Sequence, residues 1–245
     1  MVTSILAMNF KDPLVLAEDK TSEKKAHKLA TELGLFFEGN LKNLREKFKD
    51  LKSLKTTQYY LVLSKEYIYL RKGLNNTNKP IYSNFLQWNK ELKKTNLLRC
   101  MKGVPKDSVV IDATAGLGQD SCALATLTDK LIILDKVPWI HALLQDGLIK
   151  AKKQISQFDR VYPVCSDSKC YLSMLKEKPD VIYLDPMFNR KNSSKAKREI
   201  QALRDLVDDE EIGDLLSISL RTAKNRVIVK RHKNSSYLDR LKPTF

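Results

Sequence analysis

Cysteine and histidine are scarce in this chain. Its four cysteines (Cys100, Cys122, Cys165, Cys170) and three histidines (His27, His141, His232) include no C-x-x-C pair. With no recognisable zinc spacing, no metal is expected, and the cysteines read as ordinary thiols in a reducing compartment. Long apolar runs are missing too. No uninterrupted stretch approaches about 18 residues, the length a membrane helix needs, and the apolar start Met1 to Phe10 is too short for a signal peptide. A soluble, cytoplasmic protein without a membrane partner is expected. There is no internal repeat or low-complexity tract. The 42% hydrophobic content argues against wholesale disorder, and 245 residues suffice for one sizeable core plus a small appended domain.

What is abundant is positive charge. Lys and Arg number 44 against 29 Asp and Glu, a formal balance of +15. Such a field attracts phosphate at a distance and favours a polyanionic partner, the alternative being a basic but merely solvated surface. Residues 1–95 already net +8 and read as a small α+β domain. Ala26, Leu29, Ala30 and Leu33 recur at helical spacing behind Ser22, a candidate N-cap, which predicts a helix near 22–34. Tyr59 to Leu63 and Tyr67 to Leu70 flank Ser64-Lys65-Glu66 and predict a hairpin, and the Asn-rich stretch Gly73 to Pro80 reads as a loop.

Residues 96–245 are expected to form a second domain, entered through a helix over most of Asn84 to Gly103. Strand candidates are Ser108 to Thr114, Lys130 to Asp135, Val161 to Cys165, Val181 to Leu184 and Arg226 to Lys230. Helix-like segments separate them, among them Pro138 to Lys152 with Trp139, Ile140, Leu143 and Leu144 on one face. Short buried strands alternating with helices predict an α/β fold with a doubly wound, mostly parallel sheet. Charge comes in blocks here. Arg190 to Arg204 carries six basic residues and one acid, Asp205 to Asp214 six acids, and Arg221 to Lys233 six basic residues and no acid.

Two strand ends carry chemistry. After Val109-Val110-Ile111 comes Asp112-Ala-Thr-Ala-Gly116-Leu-Gly118-Gln-Asp120, a Gly-rich turn that lets a nucleotide approach the backbone. A lone G-x-G is weak, since such turns also serve strand-to-helix packing, and the third glycine of a dinucleotide fingerprint is here Ser121. Asp112, four residues before Gly116, has the position of an acid found in class I methyltransferases. Asp135 ends the next strand 19 residues after Gly116, where a carboxylate can accept both ribose hydroxyls, in a methyltransferase or a dehydrogenase alike. Ser166 and Asp167 follow the third strand and read either as an adenine contact or as an ordinary helix cap.

The second strand end is Asp185-Pro186-Met187-Phe188. It resembles the (Asn/Asp)-Pro-Pro-aromatic motif of enzymes that methylate exocyclic amines. The Asp185 carboxylate and the Pro186 carbonyl could accept the two amine hydrogens, and Phe188 could stack on the base. The alternative is a common Asp-Pro turn. The basic block that begins at Arg190 follows at once, so Arg190, Lys191, Lys195, Lys197 and Arg198 are candidate RNA contacts.

The strings Asp112 to Asp120, Leu143-Leu-Gln-Asp-Gly-Leu148, Tyr183 to Phe188 and Val227-Ile-Val-Lys-Arg231 resemble the ribosomal RNA small subunit methyltransferase J family. The resemblance spans roughly Gly103 to Arg231 and implies a Rossmann-like class I methyltransferase domain. It implies S-adenosylmethionine as donor, S-adenosylhomocysteine as product, and the exocyclic N2 of a guanosine in small-subunit (16S) rRNA as acceptor, either in naked RNA or in the assembled 30S subunit. By position it places cofactor contacts on Asp112, Gly116, Gly118, Gln119, Asp120, Asp135, Lys136, Ser166, Asp167 and Asp185, and catalysis on Asp185, Pro186 and Phe188. Gln119 stands where the family usually has Arg, Asp135 where it has Glu, and Asn189 where Pro is common. The chain stops at Phe245, ahead of the closing strand expected for the family. Two alternatives remain open from sequence: an amino-methyltransferase of another RNA or DNA base, and a non-catalytic RNA-binding protein on the same fold.

Overall fold

The computed structural model describes residues 12–47, 58–74, 79–92, 96–185, 206 and 212–231. The chain divides into two units, Met1–Tyr82 with Arg190–Asp208, and Ser83–Asn189 with Asp209–Phe245.

In the first unit a four-stranded mixed sheet has the order β2-β1-β3-β4, built from β1 (Leu14–Ala17), β2 (Phe37–Asn40), β3 (Tyr59–Leu63) and β4 (Ile68–Lys72). β1 runs parallel to both β2 and β3, while β3 and β4 form the predicted hairpin. Ser64 closes that hairpin by taking the Tyr67 N–H on its hydroxyl at 3.0 Å. Helix α1 (Glu23–Leu33) falls where its apolar spacing put it, and ends at Gly34 in the left-handed region at φ 66°. Its start differs from expectation in one respect. Ser22 holds the N-cap position without a side-chain cap bond, and the preceding turn is capped by Asp19, which accepts the Ser22 N–H at 3.1 Å. Leu14, Leu16, Tyr60, Val62 and Tyr69 pack with Leu41 from α2 (Leu41–Lys47) into one core. β1 and β2 have no counterpart among the predicted strands: β2 reads Phe-Glu-Gly-Asn without an apolar run, and the short run of β1 does not by itself distinguish strand from buried helix.

The second unit carries the site. Its sheet has the order β7-β6-β5-β8-β9, from β5 (Val109–Asp112), β6 (Lys130–Asp135), β7 (Val161–Cys165), β8 (Val181–Leu184) and β9 (Arg226–Val229), and every pairing is parallel. Successive residues point to opposite faces and both faces are buried. Val110, Ile133 and Tyr183 face one core, whereas Ile111, Leu134 and Ile182 face the other. The first core is filled by α3 (Phe85–Lys90), α4 (Asn96–Cys100), α5 (Gln119–Leu124) and α6 (Pro138–Lys152), the second by α7 (Ser168–Ser173) and α8 (Ile212–Thr222). The doubly wound reading therefore holds. The single helix expected over Asn84 to Gly103 is instead the short pair α3 and α4, with 93–95 outside the described residues. Phe85 is fully buried in the first core, so α3 packs with this sheet, in the unit that begins at Ser83. Among the described residues no helix is long and apolar enough to cross a membrane.

Gly147 in α6 shows how closely α6 abuts the segment before α3. A Cβ there would lie 2.4 Å from the Ser83 carbonyl oxygen. Replacing a helical glycine by alanine ordinarily stabilises by about 1 kcal/mol, but overpacking against backbone, which cannot rotate away, costs about 1–3 kcal/mol. Gly147→Ala is therefore expected to lower stability on balance, read as a lower urea midpoint at unchanged slope. A raised midpoint would mean that the Ser83 segment yields.

Candidate active site

The order of the second sheet reverses between β5 and β8. From β5 the chain winds outward through β6 and β7, then returns to build β8 and β9 on the other side. Connections leave the two central strands in opposite directions, which opens a crevice beyond their carboxyl ends, the place where such sheets bind ligands. Asp112 ends β5 and Asp185 follows β8. Both chemical strand ends recognised in the sequence thus face one crevice.

The turn after β5 is held by its own acid. Asp112 is fully buried, and its carboxylate accepts the Ser121 hydroxyl at 2.6 Å and the Thr114 N–H at 3.1 Å. With both oxygens bonded inside the protein, Asp112 braces the turn. Gly118 caps α5 at φ 89°. Burial pushes Asp112 up to about 7, opposed by the Ser121 and Thr114 hydrogen bonds and reinforced by Asp120 and Asp185. Thr114 also reaches across the crevice, its hydroxyl accepting the Asp185 N–H at 2.6 Å.

The open side of the crevice is acidic. Asp120, in the first turn of α5, accepts the Tyr183 hydroxyl at 2.7 Å and the Lys230 ammonium at 2.6 Å. Lys230 also donates to Asp185 at 2.7 Å. Burial raises the pKa of Asp185, as does Asp120, while Lys230 works against them. Burial and three neighbouring aspartates keep the Tyr183 phenol protonated. At the end of β6, half-buried Asp135 accepts the Val137 N–H at 2.8 Å and is pushed up to about 6 by burial, with the Gly116 and Val137 amides pulling it down. Asp135 is therefore tied to the same glycine turn.

The remaining predicted residues separate into three groups. Gln119 and Lys136 are exposed at the starts of α5 and of the β6 to α6 connection. The Ser166 N–H donates to the Asp135 carbonyl at 3.1 Å, which places it beside that strand end. Asp167 caps α7 by accepting the Cys170 N–H at 3.0 Å, a bond that also lowers its pKa, so the cap alternative describes its geometry. Pro186, Phe188, Arg190, Lys191, Lys195, Lys197 and Arg198 lie outside the described residues. Four residues without an assigned role in the sequence complete the constellation: Thr114, Ser121, Tyr183 and Lys230. All four sit inside the strings that carry the resemblance or directly beside them, yet no spacing rule ties Lys230 to an acid 110 positions earlier.

Comparison with known proteins agrees with this geometry. Residues 43–245 match the family described as "Putative SAM-dependent methyltransferase". A protein named ribosomal RNA small subunit methyltransferase J from Coxiella burnetii is 34% identical over 203 residues, 77% of this chain and 79% of the relative. One of the same name from Cellvibrio japonicus is 38% identical over 148 residues, 56% of each chain. Here the chain spans about half the length of its relative. A crystal structure of a SAM-dependent methyltransferase from Neisseria gonorrhoeae superposes with a TM-score of 0.68 at 23% identity, covering 94% of this chain and 89% of that one, and establishes the shared fold.

The buried acid makes a testable claim. A carboxyl whose folded pKa lies above its ordinary 3.8 stabilises the fold fully below about pH 4 and loses that contribution as pH rises through about 7. At about 1.4 kcal/mol per pH unit the loss amounts to about 4 kcal/mol at most. Asp112→Asn, which cannot ionise, is expected to flatten the decline of unfolding free energy over that window, measured by denaturant titration at several pH values. An unaltered decline would show that Asp112 does not titrate there.

Proposed function

The chain belongs to the ribosomal RNA small subunit methyltransferase J family of SAM-dependent methyltransferases, and on that premise we propose that it moves a methyl group from S-adenosylmethionine to the exocyclic N2 of a guanosine in small-subunit rRNA. One observation carries the proposal. Asp185 stands at the carboxyl end of β8, hydrogen-bonded through its N–H to Thr114 of the glycine turn and through its carboxylate to Lys230. That bond sets the residue proposed to accept the base amine beside the glycine turn proposed to hold the cofactor.

The donor set suits the cofactor. S-adenosylmethionine is cationic and bears a ribose diol, and the crevice offers Asp120, Asp185 and Asp135 as anionic acceptors. Asp135 would accept the diol, and Asp120 with Asp185 would favour the cationic end. When bound, the cofactor supplies a methyl group on a positively charged sulfur and leaves as a neutral thioether. The protein's part lies on the base. The guanine amine is a poor nucleophile because its lone pair is delocalised into the ring, and hydrogen bonds from its N–H groups to Asp185 localise that pair and orient it. As the new N–C bond forms and the C–S bond breaks, the nitrogen must shed a proton. Asp185 would receive it or hand it to water. Pro186 and Phe188, next in sequence, would offer the second acceptor and the stacking surface.

Tritiated S-adenosylmethionine supplied with naked small-subunit RNA, with isolated 30S subunits and with a DNA duplex tests the proposal, the modified base being identified by mass spectrometry of nucleosides. N2-methylguanosine is expected from one of the RNA substrates. Asp185→Ala should lower the rate about 10²- to 10⁴-fold, the usual contribution of a positioned proton-handling group. Asp185→Asn keeps an acceptor oxygen and should retain partial activity. Label in DNA alone, or full turnover by a folded Asp185→Ala protein, would overturn the assignment.

The RNA-facing surface is proposed to include Arg190, Lys191, Lys195, Lys197 and Arg198, which follow the base-binding turn in sequence. Replacing three of them by Gln should weaken RNA binding without altering cofactor affinity. For every phosphate left without its cation, the slope of log affinity against log salt should flatten by about 0.7 to 0.9. Titrations that give one slope for both proteins would remove this block from the surface.

A further inference from the structure

Lys230 is the first residue past β9, and two sets of bonds fix it. Its N–H donates to the Leu184 carbonyl at 2.8 Å, which extends the ladder between β8 and β9 by one step and sets its Cα beside the end of β8. Its ammonium then reaches Asp120 at 2.6 Å and Asp185 at 2.7 Å. The start of α5, the end of β8 and the end of β9 therefore converge on a single cation.

As a strut this arrangement would accomplish little. The Lys230 side chain is 52% exposed, with Asp120 at 28% and Asp185 at 34%, and ion pairs so open to water contribute about 0–1 kcal/mol to stability. Its electrostatic effect on Asp185 is larger. Asp112 from β5, Asp120 from α5 and Tyr183 from β8 each interact with Asp185, as does Lys230, whose ammonium is bonded to its carboxylate. Of these only Lys230 is cationic. Without it, two further carboxyl groups and a half-buried setting would favour protonation of Asp185, and a protonated acid is a poor acceptor for an amine hydrogen.

We propose that Lys230 is a positioning residue of the transfer reaction, its ammonium bridging Asp120 and Asp185 so that the Asp185 carboxylate stays ionised and aimed at the base amine. Lys230 engages one oxygen, Oδ2, and Oδ1 of the same carboxylate takes the amine hydrogen. Lys230 is not the base itself. Burial works against its charge, but Asp120 and Asp185 outweigh burial and hold it protonated. Asp120 gains a role as well, because the carboxylate proposed to favour the cofactor's cationic end shares its counter-ion with the carboxylate that holds the acceptor. The inference rests on the methyltransferase reading above, and its test has one arm independent of it.

Lys230→Met removes the charge and Lys230→Arg keeps it. In the first arm the rate at saturating donor and RNA is followed from about pH 5.5 to 9. An opposite charge at this distance shifts a carboxyl by about 1–3 pH units, the lower figure applying to an exposed bridge. The acid limb of Lys230→Met should therefore move up by about one pH unit. That is a loss of about tenfold below the limb which closes to within about threefold at pH 9, and Lys230→Arg should restore the wild-type limb. In the second arm the Asp185 carboxyl carbon is titrated by NMR in the full-length, ligand-free protein, its signal assigned by its loss in Asp185→Asn. Asp185 should titrate higher in Lys230→Met than in wild type. A superimposed limb, an equal loss at every pH, or an unmoved Asp185 titration overturns the proposal. A moved titration in a protein whose wild type methylates none of the RNA substrates sinks the guanine assignment and leaves the electrostatic coupling standing.

Discussion

The reversal of strand order between β5 and β8 is the constraint on which the site depends. In a fully parallel sheet every strand delivers its carboxyl end to the same edge, and only at the reversal do the connecting helices part and leave that edge open. Asp112 and Asp185 lie at this opening because they terminate the two strands that flank it, and Asp120 joins them because α5 begins there. Crowding of acids is thus a by-product of topology. The protein manages it by unequal means: Asp112 is buried and pushed up to about 7, Asp120 is bonded to Tyr183 and Lys230, and Asp185 shares the same lysine.

The unequal treatment separates roles that residue type alone would merge. Asp112 has no exposed surface and gives both oxygens to Ser121 and Thr114, so its contribution is the shape of the turn. Asp120 and Asp185 keep partial exposure. Asp135 is intermediate, tied to Val137 and Gly116 yet open at the end of β6. The four aspartates thus differ in setting: one fully buried, two partly exposed and joined through Lys230, and one tied to the glycine turn at the end of β6.

Most of the second unit was legible because burial on both sheet faces writes itself as uninterrupted apolar runs. β6, β7, β8 and α6 fall on their predicted bounds, and β5 and β9 lie within theirs. The first unit was less legible for a physical reason. Phe37–Asn40 carries Glu38, Gly39 and Asn40 and so has no apolar run to mark it, and the short apolar run Leu14–Ala17 does not by itself distinguish strand from buried helix. In the candidate site, what sequence conveyed was the set of groups whose meaning is local: a glycine turn, an Asp-Pro end, acids at strand ends. Lys230 escaped because its meaning is wholly tertiary. It reads as one basic residue in a basic block until the β8 to β9 register brings it to Asp185.

Gly118 is required for a reason other than the one usually given for such a motif. A glycine in such a turn is usually taken to make room for a nucleotide. Here the missing Cβ points into the protein, where it would meet Phe85 at 2.5 Å and Leu144 at 2.6 Å, and the backbone stands at φ 89°. Two protein-internal demands therefore require glycine at 118: a left-handed cap for α5 and close packing of α3 and α6 beneath the turn. These demands set where the first N–H groups of α5 and the Asp120 carboxylate are presented. The ligand-facing geometry of the turn is consequently inherited from the core under it. Substitution at Gly118 would disturb the crevice from below, through Phe85 and Leu144, before any nucleotide was encountered.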